Sequence, residues 1–151
     1  MAVAGIGPCT QSSVPGVAMI ATFTNRCIAD AEGKNFDTET LRRAVRAVGQ
    51  FAITRGCTFV SAPWDAPDAR VKKLLRQQRR RLKREMTEAV YAELSIPGAL
   101  IRMAAWVLPF LFPQYAALIK LASWVIDWAI NQFEQQPATF AALCRAGGLL
   151  A

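Results

Sequence analysis

The 151-residue chain is about one domain long, and its 53% apolar residues and mean hydropathy of +0.20 exceed what ordinary soluble domains show. It contains no histidine, which removes the commonest general base and metal ligand. The net charge is +7, and residues 66–95 hold nine basic but only four acidic side chains. This asymmetry predicts an anionic partner: nucleic acid, a lipid headgroup surface or an acidic protein.

The N-terminal residues 1–36 are predicted to form an irregular or short-helical arm. Residues 1–16 are rich in Gly, Pro and Ser and show no hydrophobic period, which indicates irregular structure. Residues 17–29 are apolar enough for a short helix or an extended segment. We expect no signal peptide, because the first basic residue is Arg26.

Residues 37–65 are predicted to form an amphipathic helix, near 38–55, followed by an extended linker. Asp37 or Thr38 can cap the helix, and Leu41, Val45 and Val48 recur at the spacing of one buried face. Arginines on the other side of this helix indicate a solvated face.

Residues 66–95 are predicted to form one long basic helix, because neither Gly nor Pro occurs between Pro67 and Pro97. Like charges this dense repel one another on a helix, so an anionic ligand would stabilise them. Arginine in particular suits phosphate, since its guanidinium can bind two oxygens at once. A solvated charged helix is the alternative. The predicted anion-binding residues, for nucleic acid or lipid headgroups, are Arg70, Lys72, Lys73, Arg76, Arg79, Arg80, Arg81, Lys83 and Arg84.

Residues 96–151 are predicted to form an apolar helical hairpin and a short terminal helix. Pro113 separates two apolar arms, at 98–112 and 114–133, and the terminal helix is expected at 137–146. The hairpin could span a membrane, lie on its surface, or form a protein core or an oligomer seam. The predicted membrane or oligomer contacts are Trp106, Phe110, Phe112, Trp124 and Trp128.

Two charges lie deep within this apolar stretch. In an antiparallel hairpin about Pro113, Arg102 and Asp127 would reach comparable depths. Because a buried charge is costly without a counter-charge, they are predicted to form a buried ion pair.

Catalytic and metal-binding patterns are absent from the sequence. Four cysteines are widely spaced without a C-x-x-C pair, so buried reduced thiols are expected, and neither a metal nor a cofactor is predicted. No nucleotide-binding or nucleophile motif occurs, so we expect a protein that is not an enzyme. The cysteines are Cys9, Cys27, Cys57 and Cys144.

The sequence therefore predicts an all-α fold: a long basic helix followed by an apolar helical hairpin, with a partly irregular N-terminal arm. The cationic helix, the apolar hairpin and the small size together resemble small virion-internal proteins and membrane-associated assembly factors. The leading hypothesis is a structural or assembly protein, membrane-associated or in a virion, that contacts nucleic acid or anionic lipid and forms a homo-oligomer or larger assembly. The alternatives are a membrane-permeabilising, holin-like or toxin-like protein and a soluble nucleic-acid-binding module.

Overall fold

The computed structural model describes residues 8–55, 68–104 and 106–146, and the fold is all-α, as predicted. Short 3-10 turns at Gly98–Arg102 and Pro113–Tyr115 flank the fifth helix, and the described residues contain no strand. The helices are α1 (Pro8–Asp30), α2 (Thr38–Thr54), α3 (Asp68–Gln77), α4 (Arg79–Glu93), α5 (Leu108–Leu111), α6 (Ala116–Gln135) and α7 (Pro137–Ala146).

The helices α2 and α6 form the centre of the bundle. Helix α2 packs against α1, α4, α6 and α7, and α6 packs against α2, α3, α4 and α7. Small and branched side chains, including Val45, Val48, Val125 and Ala129, are completely buried where these helices meet. One continuous apolar core thus joins the N-terminal, basic and C-terminal parts of the chain.

Helix α2 begins as the sequence predicts. The Asp37 carboxylate accepts hydrogen bonds from the backbone N–H of Thr40 at 2.9 Å and from its hydroxyl at 2.7 Å. The hydroxyl bond first and the backbone bond second lower the pKa of Asp37. The helix ends at Thr54, close to the predicted boundary. The extended linker expected after it, at 57–62, lies outside the described residues.

The predicted irregular arm is wrong for residues 8–16, which belong to the long helix α1. Pro8 occupies the first helical position, where its missing N–H costs nothing. Farther along, Phe23 and Cys27 are buried in the core. Packing of this kind stabilises helices whose intrinsic propensity is low, and composition alone could not show it.

A glycine in α2 allows α1 to approach closely. A Cβ atom added at Gly49 would lie 3.1 Å from Cγ1 of Ile20. We expect Gly49→Leu to lower the free energy of unfolding by about 1–3 kcal/mol, because the added carbons must push Ile20 away. Leu has a higher helix propensity than Gly, but this gain of about 1 kcal/mol does not outweigh the cost of displacing Ile20. Urea denaturation followed by circular dichroism measures the change.

Gly98 provides the matched control for this substitution. A Cβ atom at Gly98 would have no neighbour within 4 Å, so Gly98→Leu should change stability by no more than about 0.5 kcal/mol. If Gly49→Leu instead stabilised the protein, α1 and α2 would not be in the close contact described here.

The predicted hairpin is wrong in its first arm. Within 98–104 and 106–112, the described residues form a 3-10 turn, an extended residue at Met103 and the one-turn helix α5 instead of a helical arm. Pro109 and Pro113 remove backbone donors that a long helix would need. The second arm and the terminal helix are confirmed as α6 and α7. None of the helices in the described part of the chain combines the length and apolarity needed to cross a membrane.

Candidate anion-binding surface

The basic segment forms two helices, α3 and α4, instead of the single predicted helix. The helical geometry is interrupted at Gln78 (φ −100°, ψ 9°), although backbone hydrogen bonds from Gln78 N to Leu74 O (3.1 Å) and from Leu82 N to Gln78 O (2.8 Å) connect the two helices. Helix α3 packs against α6 and α7, whereas α4 packs against α2 and α6. We call α3 and α4, with their nine cations, the basic ridge.

One face of the basic ridge is anchored in the core. Leu75, Leu82, Met86 and Val90 are each at most 1% exposed, and their spacing of seven, four and four residues places them along one side. The opposite side therefore faces outward. Because the inner face is packed along both helices, the cations project from a rigid support.

Three of the nine cations form ion pairs within the fold. Arg79 Nη1 lies 3.3 Å from Glu134 Oε2, and Lys83 Nζ lies 3.2 Å from Asp127 Oδ1, so two cations of α4 contact two acids of α6. The third, Arg81, pairs with Glu85 at 2.9 Å within α4. Lys83 and Asp127 are both more than half exposed, so their pair contributes little, about 0–1 kcal/mol. Glu134 and Glu85 are only 15% and 16% exposed, so Arg79 and Arg81 neutralise carboxylates that are largely removed from water.

Glu85 also accepts a second cation. Its other carboxylate oxygen lies 2.8 Å from Arg55 Nη2, at the end of α2. One carboxylate therefore neutralises parts of both Arg55 and Arg81, and it ties the end of α2 to α4.

The remaining six cations form no ion pair with any acid whose side chain the structure describes. Arg76, Arg80 and Arg84 follow one another at four-residue intervals, so they form a line on the outer face. Five of the six are exposed and Lys72 is half-buried. The unpaired cations of the ridge are Arg70, Lys72, Lys73, Arg76, Arg80 and Arg84.

The predicted buried ion pair between Arg102 and Asp127 is wrong. The Asp127 side chain is 62% exposed and pairs with Lys83. Arg102 is exposed, and it lines a cavity of about 500 Å³ with Arg84, Glu88 and other residues. The predicted pair depends on a hairpin register, and residues 98–104 and 106–112 do not form the helical arm that this register needs. Arg102 instead adds a positive charge beside Arg84 of the ridge.

The predicted membrane or oligomer contacts differ in how far their side chains are exposed. Trp106 and Phe110 are 75% and 82% exposed, so they are free to contact a partner. Phe112 and Trp124 are half-buried against the core. Trp128 is 8% exposed and donates a hydrogen bond from Nε1 to Asp30 Oδ2 at 2.7 Å. The prediction of a surface role is therefore wrong for Trp128, which joins α6 to α1.

Cys27 agrees with the expectation of a buried thiol. It is fully buried, and burial first, with the nearby charge of Asp30 second, raises its pKa to about 12. At neutral pH the sulfur is therefore protonated and a poor nucleophile. Cys9, Cys57 and Cys144 have side chains outside the described set. Within that set, no three His, Cys, Asp or Glu residues come together as a metal site.

Sequence reasoning found the nine cations but could not separate the paired from the unpaired ones. The available signal is a polar stripe on the otherwise apolar helix α6, formed by Lys120, Ser123, Asp127 and Glu134 at helical spacing. Only the three-dimensional packing shows that these acids neutralise Arg79 and Lys83. Comparison with protein-family models, with characterised proteins and with solved structures gave no match for this chain.

Proposed function

We propose that this protein is a non-enzymatic structural or assembly protein that binds a polyanion through the basic ridge. The observation that carries the proposal is a set of six cations without described counter-ions, five of them exposed, on two helices whose inner faces are packed in the core. Neighbouring like charges destabilise a helix, so these cations reduce stability unless an external anion neutralises them. A virion, in which a small cationic protein contacts packaged nucleic acid or a membrane, is the assembly we propose.

The chemistry of the ridge favours phosphate groups as the ligand. Four of the six unpaired cations are arginines, whose planar guanidinium groups bind phosphate oxygens in pairs. From Arg70 to Arg84 the ridge is roughly 21 Å long at 1.5 Å per residue. Nucleic acids and anionic lipids both present many phosphates over such a length. Neither needs sequence-specific contacts to bind here, because phosphates carry the affinity.

The salt dependence of binding tests the proposal. Changing Arg76, Arg80 and Arg84 together to Gln should weaken binding to duplex DNA and reduce the log–log salt slope by about 2–3, if all three contact phosphates. Fluorescence anisotropy with a labelled duplex, over a series of salt concentrations, measures the slope. Sedimentation with phosphatidylserine vesicles measures how much lipid binding the triple variant loses.

The paired cations of the same helix provide the control. Changing Arg79, Arg81 and Lys83 to Gln removes the same charge, but from side chains already held by Glu134, Glu85 and Asp127. We expect a smaller change in slope. Equal changes for both triple variants would show that net charge alone matters. Failure of the unaltered protein to bind either DNA or vesicles would contradict the proposed function.

A further inference from the structure

An apolar tip projects from the chain between the 3-10 turn at 98–102 and α6. Among the described residues, the large apolar side chains that remain exposed are Trp106 (75%), Phe110 (82%) and Leu111 (58%), and all three belong to residues 106–111. Single exposed apolar residues are ordinary, but three together mark a binding surface. We call residues 106–111 the apolar tip.

The tip has a defined structure that holds these side chains outward. Leu108, only 4% exposed, anchors the tip in the core, and Phe112 packs against the core at its end. The backbone is closed by hydrogen bonds from Phe110 N to Val107 O at 3.0 Å and from Phe112 N to Leu108 O at 2.8 Å. Little conformational entropy is therefore lost when the tip binds, because its shape is already formed.

Positive charge lies beside the tip. Arg102 is four residues before Trp106, so their Cα atoms are at most about 14 Å apart along an extended chain. Arg102 in turn lines a cavity with Arg84, the last cation of the basic ridge, and with the acid Glu88. Arg84 and Arg102 thus belong to one region of the surface, and the chain connects that region to the apolar tip over at most about 14 Å.

We infer that the apolar tip inserts into the headgroup–acyl boundary of an anionic lipid bilayer while Arg102 and Arg84 contact lipid phosphates. This inference rests on the proposed function: it identifies anionic lipid as the polyanion that the basic ridge binds. Tryptophan and phenylalanine beside basic residues are the composition that favours membrane interfaces. The cations are attracted to the surface, and the tip then enters the layer beneath the headgroups.

A second copy of this chain fits the tip less well. It would bring another net charge of +7 towards Arg84 and Arg102, and like charges oppose association. The three exposed side chains offer on the order of 400 Å² of apolar surface. Two such patches together fall short of the roughly 1,000 Å² that a specific protein interface buries. An anionic bilayer meets neither objection.

Tryptophan emission during vesicle binding tests the insertion. Adding phosphatidylcholine–phosphatidylserine vesicles should shift the emission of the unaltered protein to shorter wavelength, and brominated lipids should quench it. Trp106→Phe should bind equally well but lose most of this change, because Phe keeps the apolar ring without the fluorophore.

Trp106→Ser with Phe110→Ser should weaken vesicle binding at least about tenfold. Both side chains are exposed, so the circular dichroism spectrum should be unchanged.

Measuring binding to duplex DNA as well as to vesicles distinguishes failure of this inference from failure of the proposed function. If insertion occurs, the Trp106→Ser, Phe110→Ser variant should still bind DNA with an unchanged salt slope. Vesicle binding without any change in Trp106 emission would overturn insertion and leave only headgroup contact. DNA binding without vesicle binding would overturn the inference and keep the proposed function. A dimer that Trp106→Ser disrupts would overturn it in favour of a second copy.

Discussion

Phe133→Ala should lower the free energy of unfolding by about 3–5 kcal/mol, because it leaves a cavity where three helices meet. The Phe133 ring is completely buried. It stacks on Phe23 of α1 at 5.5 Å between ring centroids and meets the edge of Phe140 of α7 at 4.9 Å. A chain of this length should lose about 6–20 °C in Tm. Thermal and urea denaturation followed by circular dichroism measure both quantities.

Phe110→Ala is the matched control, since it makes the same change at a side chain that is 82% exposed. We expect its stability to change by no more than about 0.5 kcal/mol. A loss at Phe133 no larger than that at Phe110 would contradict the packing of α1, α6 and α7 around this ring.

The elements that the sequence predicted well have a strong local signal. Helix α2 has a capping carboxylate at Asp37 and an apolar period, and α6 has a polar stripe on an otherwise apolar surface. Both signals lie within about one helix length, so they do not depend on the remainder of the fold. The helical class and these helix boundaries could therefore be predicted from the sequence alone.

The hairpin could not be predicted correctly because apolar composition does not distinguish its possible environments. The stretch from Ile96 to Phe112 contains side chains that enter the core, such as Leu100 and Leu108, and others that project outward, such as Trp106. From the sequence, one helical arm with a kink at Pro109 is the simplest interpretation of this run. Pro97 and Pro109 interrupt it, and the 3-10 turn at 98–102 packs against α4, so tertiary contacts decide which residues are buried.

The candidate site was predicted by residue type but not by arrangement. A run of nine cations indicates an anionic partner wherever the helix lies, because the charge is a property of composition. Which cations remain unpaired depends on acids 44–55 residues away, as Lys83 with Asp127 and Arg79 with Glu134 show. Long-range pairs of this kind leave no periodic signal in one sequence.

Trp128→Ala should lower the free energy of unfolding by about 3–5 kcal/mol, although the sequence placed this residue among the membrane or oligomer contacts. The indole lies 4.9 Å from the ring of Phe23 and donates its N–H to Asp30 at 2.7 Å, so it joins α6 to α1 by packing and by a hydrogen bond. Trp128→Phe keeps most of the ring and removes the donor. That variant should therefore lose less, about 0.5–1.5 kcal/mol. Urea denaturation measures both losses.

For Trp106, which the sequence also placed among the membrane or oligomer contacts, we expect the opposite result: a loss of vesicle binding without a loss of stability. Trp106→Ala should leave stability within about 0.5 kcal/mol of the unaltered protein, because the side chain is 75% exposed, but it should weaken vesicle binding. Trp128→Ala, studied at a temperature where it remains folded, should bind vesicles normally. If Trp128→Ala instead kept full stability and lost vesicle binding, the indole would face the membrane, as the sequence first suggested, and its contact with Asp30 would not hold α1 against α6.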